Sequence, residues 1–215
     1  MRNFIAAATF AAASAGASAT GINLILDGNF DSVAVAKGTW TTVNSTSVDG
    51  TTAWTSTHGI ELRNDVDGEA QGASKNFVEL DTYENSAISQ SFATVAGQEY
   101  KLAFYIEDRV GGEPVAASVT DGLSVGVTDT ATNAPDLATV SFAGGAYNGW
   151  TEIAEYFYAT GSESTLTFSA LGLSDSYGTS LDNVSVFAAV PEPASIAMLA
   201  SGLALLGLTR RRTRK

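Results

Sequence analysis

From Glu99 to Ile106 a large apolar residue returns at every second position. Tyr100, Leu102, Phe104 and Ile106 share one face; Glu99, Lys101, Ala103 and Tyr105 share the other. A period of two marks a β-strand with one face buried. The pattern recurs in Ser164 to Ala170, in Leu181 to Phe187, at Ile88, Gln90 and Phe92, at Leu123, Val125 and Val127, and at Ile153 and Phe157. Asn23 to Leu26, Ile60 to Leu62, Phe77 to Leu80 and Leu137 to Phe142 carry shorter versions. Turn formers stand between the runs, among them Asp27-Gly28-Asn29, Asp49-Gly50, Asp67-Gly68, Asn133-Ala134-Pro135 and Gly144-Gly145. No interior stretch has a helical period. About nine to eleven short strands predict an all-β fold of two packed sheets, a jelly-roll β-sandwich. The Gly-, Thr- and Ser-rich segment from Gly38 to Gly59, which holds Trp40 and Trp54, reads as a long loop with one or two strands.

The two ends have a different composition. Arg2 precedes an apolar run from Phe4 to Ala13, and Ala17-Ser18-Ala19 forms an A-x-A site. This predicts a secretory signal peptide over 1–19, cut between Ala19 and Thr20. The sandwich then occupies 20–189 and a separate tail 190–215. In the tail, Pro191-Glu192-Pro193 halts the last strand, because proline donates nothing to a ladder. Ala194 to Leu208 is apolar, and Arg210, Arg211, Arg212, Arg214 and Lys215 close the chain. Fifteen residues of helix span roughly 22 Å, short of the roughly 30 Å hydrocarbon core, so this is a marginal membrane anchor. Its basic end belongs in the cytoplasm, which leaves the sandwich outside.

Charge follows the same division. The interior holds five basic residues against 22 acidic ones, a balance of −17. Such a surface repels phosphate backbones and excludes nucleic acid as a partner. The chain has no cysteine and one histidine, His58. Disulfides, thiol nucleophiles and multi-histidine zinc centres are thereby excluded. His58 lies beside Gly59 without a nucleophile motif such as G-x-S-x-G, and reads as a bystander. With so many acidic residues, close carboxylate pairs arise by number alone and do not argue for a glycosidase.

The three-part tail, Pro-Glu-Pro followed by a short apolar stretch and an arginine cluster, is similar to a PEP-CTERM sorting signal. That resemblance implies a Gram-negative bacterium, an exosortase-type processing enzyme and transient residence in the inner membrane. It further implies a mature protein at the cell surface or in an exopolysaccharide (biofilm) matrix. The interior resembles galactose-binding-like sandwich domains, the plan of many carbohydrate-binding modules. The resemblance rests on Asn23-Leu24-Ile25-Leu26-Asp27-Gly28-Asn29-Phe30-Asp31, on Phe77-Val78-Glu79-Leu80-Asp81 before Ile88-Ser89-Gln90-Ser91-Phe92, on Gly97 with Tyr100 to Phe104, and on Leu181-Asp182-Asn183-Val184-Ser185-Val186. It implies a structural calcium tying the opening segment to the closing strand through Asp31 and Asp182. The family usually has Glu at the first of these positions, one methylene longer. Asp65-Val66-Asp67-Gly68-Glu69 also resembles a calcium loop but lacks the remaining ligands and reads as a polar turn.

Sugar binding needs exposed aromatic faces with polar groups beside them. Trp40 and Trp54, in loop-like sequence, and Tyr105, opposite the buried face of its strand, are the candidates. Trp150 sits where the fold is expected to bury it. The expectation is a non-enzymatic, exported surface or matrix protein, with weak polysaccharide binding left open. A dedicated carbohydrate-binding module and, behind it, a glycan-active enzyme are the alternatives.

Overall fold

Alternation becomes pairing. The run at 99–107 is strand β5 (Glu99–Glu107), with Tyr100, Leu102, Phe104 and Ile106 buried. A computed structural model describes residues 21–109 and 116–189. The other strands are β1 (Thr39–Val48), β2 (Thr51–Asn64), β3 (Phe77–Glu79), β4 (Ala87–Ala93), β6 (Gly122–Asp129), β7 (Pro135–Ala143), β8 (Thr151–Tyr158), β9 (Glu163–Ala170) and β10 (Ser180–Ala188). One turn of helix, α1 (Ala117–Thr120), precedes β6. Ala17, Ala19, Thr20 and the tail with Pro191, Glu192, Pro193, Arg210, Arg211 and Arg212 lie outside the described residues.

All strand pairs are antiparallel, in the order β7-β6-β9-β4-β2-β3-β10-β5-β8, with β1 added beside β2. Strand β2 belongs to both layers. Its first half pairs with β4 through Thr55 and Ser56, and its second half pairs with β3 through Glu61 to Arg63. Gly59, at φ 90°, stands between the two halves, in a conformation that glycine adopts freely. The layers pack face to face: Phe104 on β5 meets Phe168 on β9 edge-on at 5.0 Å. Each fully buried large apolar side chain contributes roughly 1.5–3 kcal/mol. The result is the expected jelly-roll β-sandwich.

Three local expectations change. The segment from Gly38 to Gly59 is mostly a hairpin, β1 and the first part of β2, turned at Asp49 and Gly50, both at positive φ. Threonine and serine fit a pleated strand without apolar alternation, so the period of two is invisible there. Trp54 is no loop residue. It is fully buried, with its indole N–H donating to the Asp27 carbonyl and its ring 5.7 Å from Phe30.

The strand expected over Asn23–Leu26 is absent. Leu24 donates one backbone bond to Val186, and the Asn23 side chain then accepts from the backbone of Ile25 and Val186 in place of a ladder. The chain next turns through Asp27 and Phe30, both at positive φ. Gly28 presses on a bulge in β10: a Cβ there would lie 2.0 Å from the Val184 carbonyl oxygen. The bulge falls between Asp182 and Ser185, with Asn183 at φ 49°.

Candidate functional site

The outward face of the layer β2-β3-β10-β5-β8 gathers most of the chemistry. Strand register sets Trp40, Arg63 and Phe77 in one row. Thr42, Glu61, Glu79, Ser180 and Glu107 form another. Toward β8 the rows are Asp182, Tyr105 and Glu152, then Ser185, Ala103 and Ala154, then Phe187, Lys101 and Tyr156. All alternate with the core-facing Leu62, Val78, Leu181 and Ile106.

Half of this face is covered by the loop after β2. Glu79 is fully buried there and Arg63 only 3% exposed. The Arg63 guanidinium meets Glu61, Asp67 and Glu79. Arg109 bonds Glu79 at 3.1 Å, Asp67 at 3.0 Å and the Ser176 carbonyl at 2.8 Å, and stacks over the Tyr177 ring at 4.4 Å. Burial pushes the Glu79 carboxyl up to about 8, against the pull of both guanidiniums and with help from Glu61 and Asp121. This lattice fixes the loop to the sheet. Sequence reasoning missed it, although alternation in Ile60-Glu61-Leu62-Arg63 already put two opposite charges on one side of a strand.

The fixed loop carries the partners of the two predicted calcium residues. Asp182 is fully buried and accepts from the backbone N–H of Gln71 and of Asn183. Asp31 accepts from the backbone of Lys75 and Asn76 and from the Asn29 side chain. Burial pushes Asp182 up to about 7, and the charge of Asp31 adds to the rise. Among the described residues no basic side chain forms an ion pair with either carboxylate. Asn76, nearly fully buried, keeps its side-chain oxygen without a hydrogen-bond partner. The donor set is all oxygen, which fits a hard cation such as calcium. Among the described residues no group of three or more His, Cys, Asp or Glu could hold a metal. The remaining ligands of such an ion would therefore be carbonyl or amide oxygens and water.

The uncovered half is aromatic. Tyr156 is 57% exposed. Tyr105 donates to Glu152 at 3.4 Å, and Lys101 reaches the same carboxylate at 3.9 Å across the small residues Ala103 and Ala154. An exposed pair of this length contributes at most about 1 kcal/mol, so a ligand can displace it at little cost.

The other candidates are dispersed. Trp40 is half exposed on β1, across the covered lattice from Tyr105. Trp54, being core, offers no face to a ligand. Trp150 is half-buried on the outward side, edge-on to Phe77, with its N–H on the Glu69 carbonyl, so it pins the covering loop rather than filling the core. His58 is exposed, 3.8 Å from Glu84. Asp65 pairs with Lys37 and Asp67 with the two arginines, as a polar turn does. On another part of the body a cleft of about 630 Å³ is lined by Asp129, Thr132, Thr160 and Glu163. Asp129 is held by Thr132, and nearby Asp136 by Thr160 and Ser164, so these carboxylates tie turns.

Residues 23–187 match the family model described as "Protein of unknown function (DUF642)". The chain belongs to the DUF642 family. Residues 189–215 of this DUF642 chain match the PEP-CTERM protein-sorting motif, which marks an exported protein sorted by an exosortase to the cell surface. No curated protein matches it. Among solved structures it is similar to the module TmCBM61 in complex with β-1,4-galactotriose, at 16% identity and TM-score 0.47 over 78% of this chain and 99% of that one. It is similar to the arabinose-bound α-L-arabinofuranosidase MgGH51, at 14% identity and TM-score 0.47, over 77% of this chain but only 26% of that enzyme. It is also similar to CBM35 from Paenibacillus barcinonensis, at 20% identity and TM-score 0.40 over 71% of this chain and all of that one.

Proposed function

We propose that this DUF642 chain is a non-enzymatic protein of the cell surface or exopolysaccharide matrix that holds polysaccharide weakly on its open sheet face. One observation carries the reading. Tyr105 and Tyr156 stand two rows apart on β5 and β8, with Lys101 and Glu152 between them over a floor of Ala103 and Ala154. Aromatic faces take the C–H side of a sugar, while the amine and carboxylate orient its hydroxyls. The acidic interior disfavours polyanions, so neutral chains are the fitting ligands. A structural calcium held by Asp31 and Asp182 belongs to the same reading. It supplies positive charge between the buried Asp182 carboxylate and the half-buried Asp31 and thereby fixes the loop beside the face. Before processing, the tail keeps the chain at the inner membrane of a Gram-negative cell.

The test is retention of the sandwich in affinity gels cast with neutral polysaccharides. Slowed migration that is relieved by Tyr156→Ala and Tyr105→Ala supports the reading. Unaltered mobility across neutral and acidic polymers contradicts it.

A further inference from the structure

The body ends where the sorting motif begins, and the rim at that point is apolar. Ala189 is still bonded to the fold: its N–H donates to the Glu99 carbonyl at 2.8 Å, and the Gln98 side chain donates to its own carbonyl at 2.8 Å. Pro191 follows two residues later, and the apolar stretch starts at Ala194. Five residues reach at most about 18 Å. The headgroup layer is itself roughly 5–8 Å deep on each side of the hydrocarbon. While the tail is in a membrane, the chain between them lets the rim stand no more than roughly 13 Å clear of the headgroups.

Three exposed apolar side chains occupy that rim. Val95, 66% exposed, lies in the turn that Gln98 closes by donating its backbone N–H to the Val95 carbonyl. Tyr158, 59% exposed, is the register partner of Glu99 on the side away from Ala189. Ile22, 85% exposed, precedes Leu24, whose backbone donates to Val186 near the end of β10. The turn residues from Val95 to Gln98 hold no charge, and the charged neighbour of Tyr158 is the acidic Glu99. An apolar contact, not attraction to anionic lipid, is what such a surface can make. Tyrosine with an apolar body and a polar tip suits the interface between headgroups and acyl chains.

We propose that the rim formed by Ile22, Val95 and Tyr158 docks on the lipid surface while the sorting tail is attached, and is released with it. This rests on the reading of the tail as a membrane anchor.

The chain has no cysteine, so a single introduced thiol reports one position. The chain with its tail is reconstituted into phosphatidylcholine vesicles as Val95→Cys or Tyr83→Cys, each carrying an environment-sensitive dye. Tyr83 is exposed before the start of β4, at the far end of that strand from Val95. Flotation with vesicles, a blue shift and quenching by headgroup-depth nitroxide lipids at Val95, and neither at Tyr83, support the proposal. Flotation with no shift at Val95 overturns it and leaves the anchor reading standing. Failure to float overturns both. A shift that needs the processing enzyme in the vesicle overturns the lipid contact in favour of a protein one.

Discussion

Arg63 Nε lies 3.1 Å from Glu79 Oε2, and both side chains are out of solvent although both point away from the core. The pair sits between a sheet and the loop that carries the contacts of Asp31 and Asp182. Removing Arg63 leaves Glu61 without its guanidinium and Glu79 with Arg109 alone, and breaking a buried pair costs about 3–5 kcal/mol. Arg63→Met is expected to lower stability by that order in chemical denaturation. A loss below about 1 kcal/mol would mean the lattice does not hold the loop.

The same carboxyl gives a pH dependence with a definite sign. Its folded value, about 8, lies above its ordinary 4.5 because burial favours the neutral form. Its contribution to stability is therefore complete below pH 4.5 and is lost as pH rises through about 8. The difference in Tm between the native chain and Glu79→Gln should shift against the native chain between pH 5 and 8.5, measured in chelator. A pH-independent difference contradicts the burial account.

Calcium is expected to raise Tm. Binding to the folded state alone adds about 2.7 kcal/mol at a hundredfold excess over Kd, which is about 5 °C or more for a body of this size. Differential scanning calorimetry with millimolar calcium and with chelator measures it. Asp182→Asn should abolish most of the response. An equal response in that variant places the ion elsewhere.

Trp54 and Tyr156 separate core from surface. Trp54→Ala opens a cavity beside Phe30 and Phe168 and should cost about 3–5 kcal/mol. Tyr156→Ala, on an exposed strand face, should stay within about 0.5 kcal/mol of the native chain. Comparable losses in urea unfolding would contradict the assignment of the two faces.

The strands that could be read from the sequence are those with one face in the core. In β5, β9 and β10 burial itself writes the alternation. Strand β1 escapes because threonine and serine line it and few of its side chains are buried. Asn23 to Leu26 misleads because a side-chain amide replaces the ladder, a substitution that alternation does not register. The positions of Asp31, Asp182 and Tyr105 could be named in advance, the first two only through resemblance. The arginine lattice could not. Arg63, Glu79 and Arg109 come from separate segments, and only the folded register brings them together. Trp54 failed as a ligand candidate for a related reason: its neighbours, Phe30 and Phe168, are distant in sequence.

Polysaccharide is proposed to lie on the open half of one sheet face. Backbone amide NMR shifts of the 20–189 body, followed during titration with a neutral oligosaccharide from the matrix, test it most directly. Saturable shifts are predicted at Lys101, Ala103, Tyr105, Glu152, Ala154 and Tyr156. Shifts confined to the cleft around Asp129, or none at millimolar sugar, would contradict it.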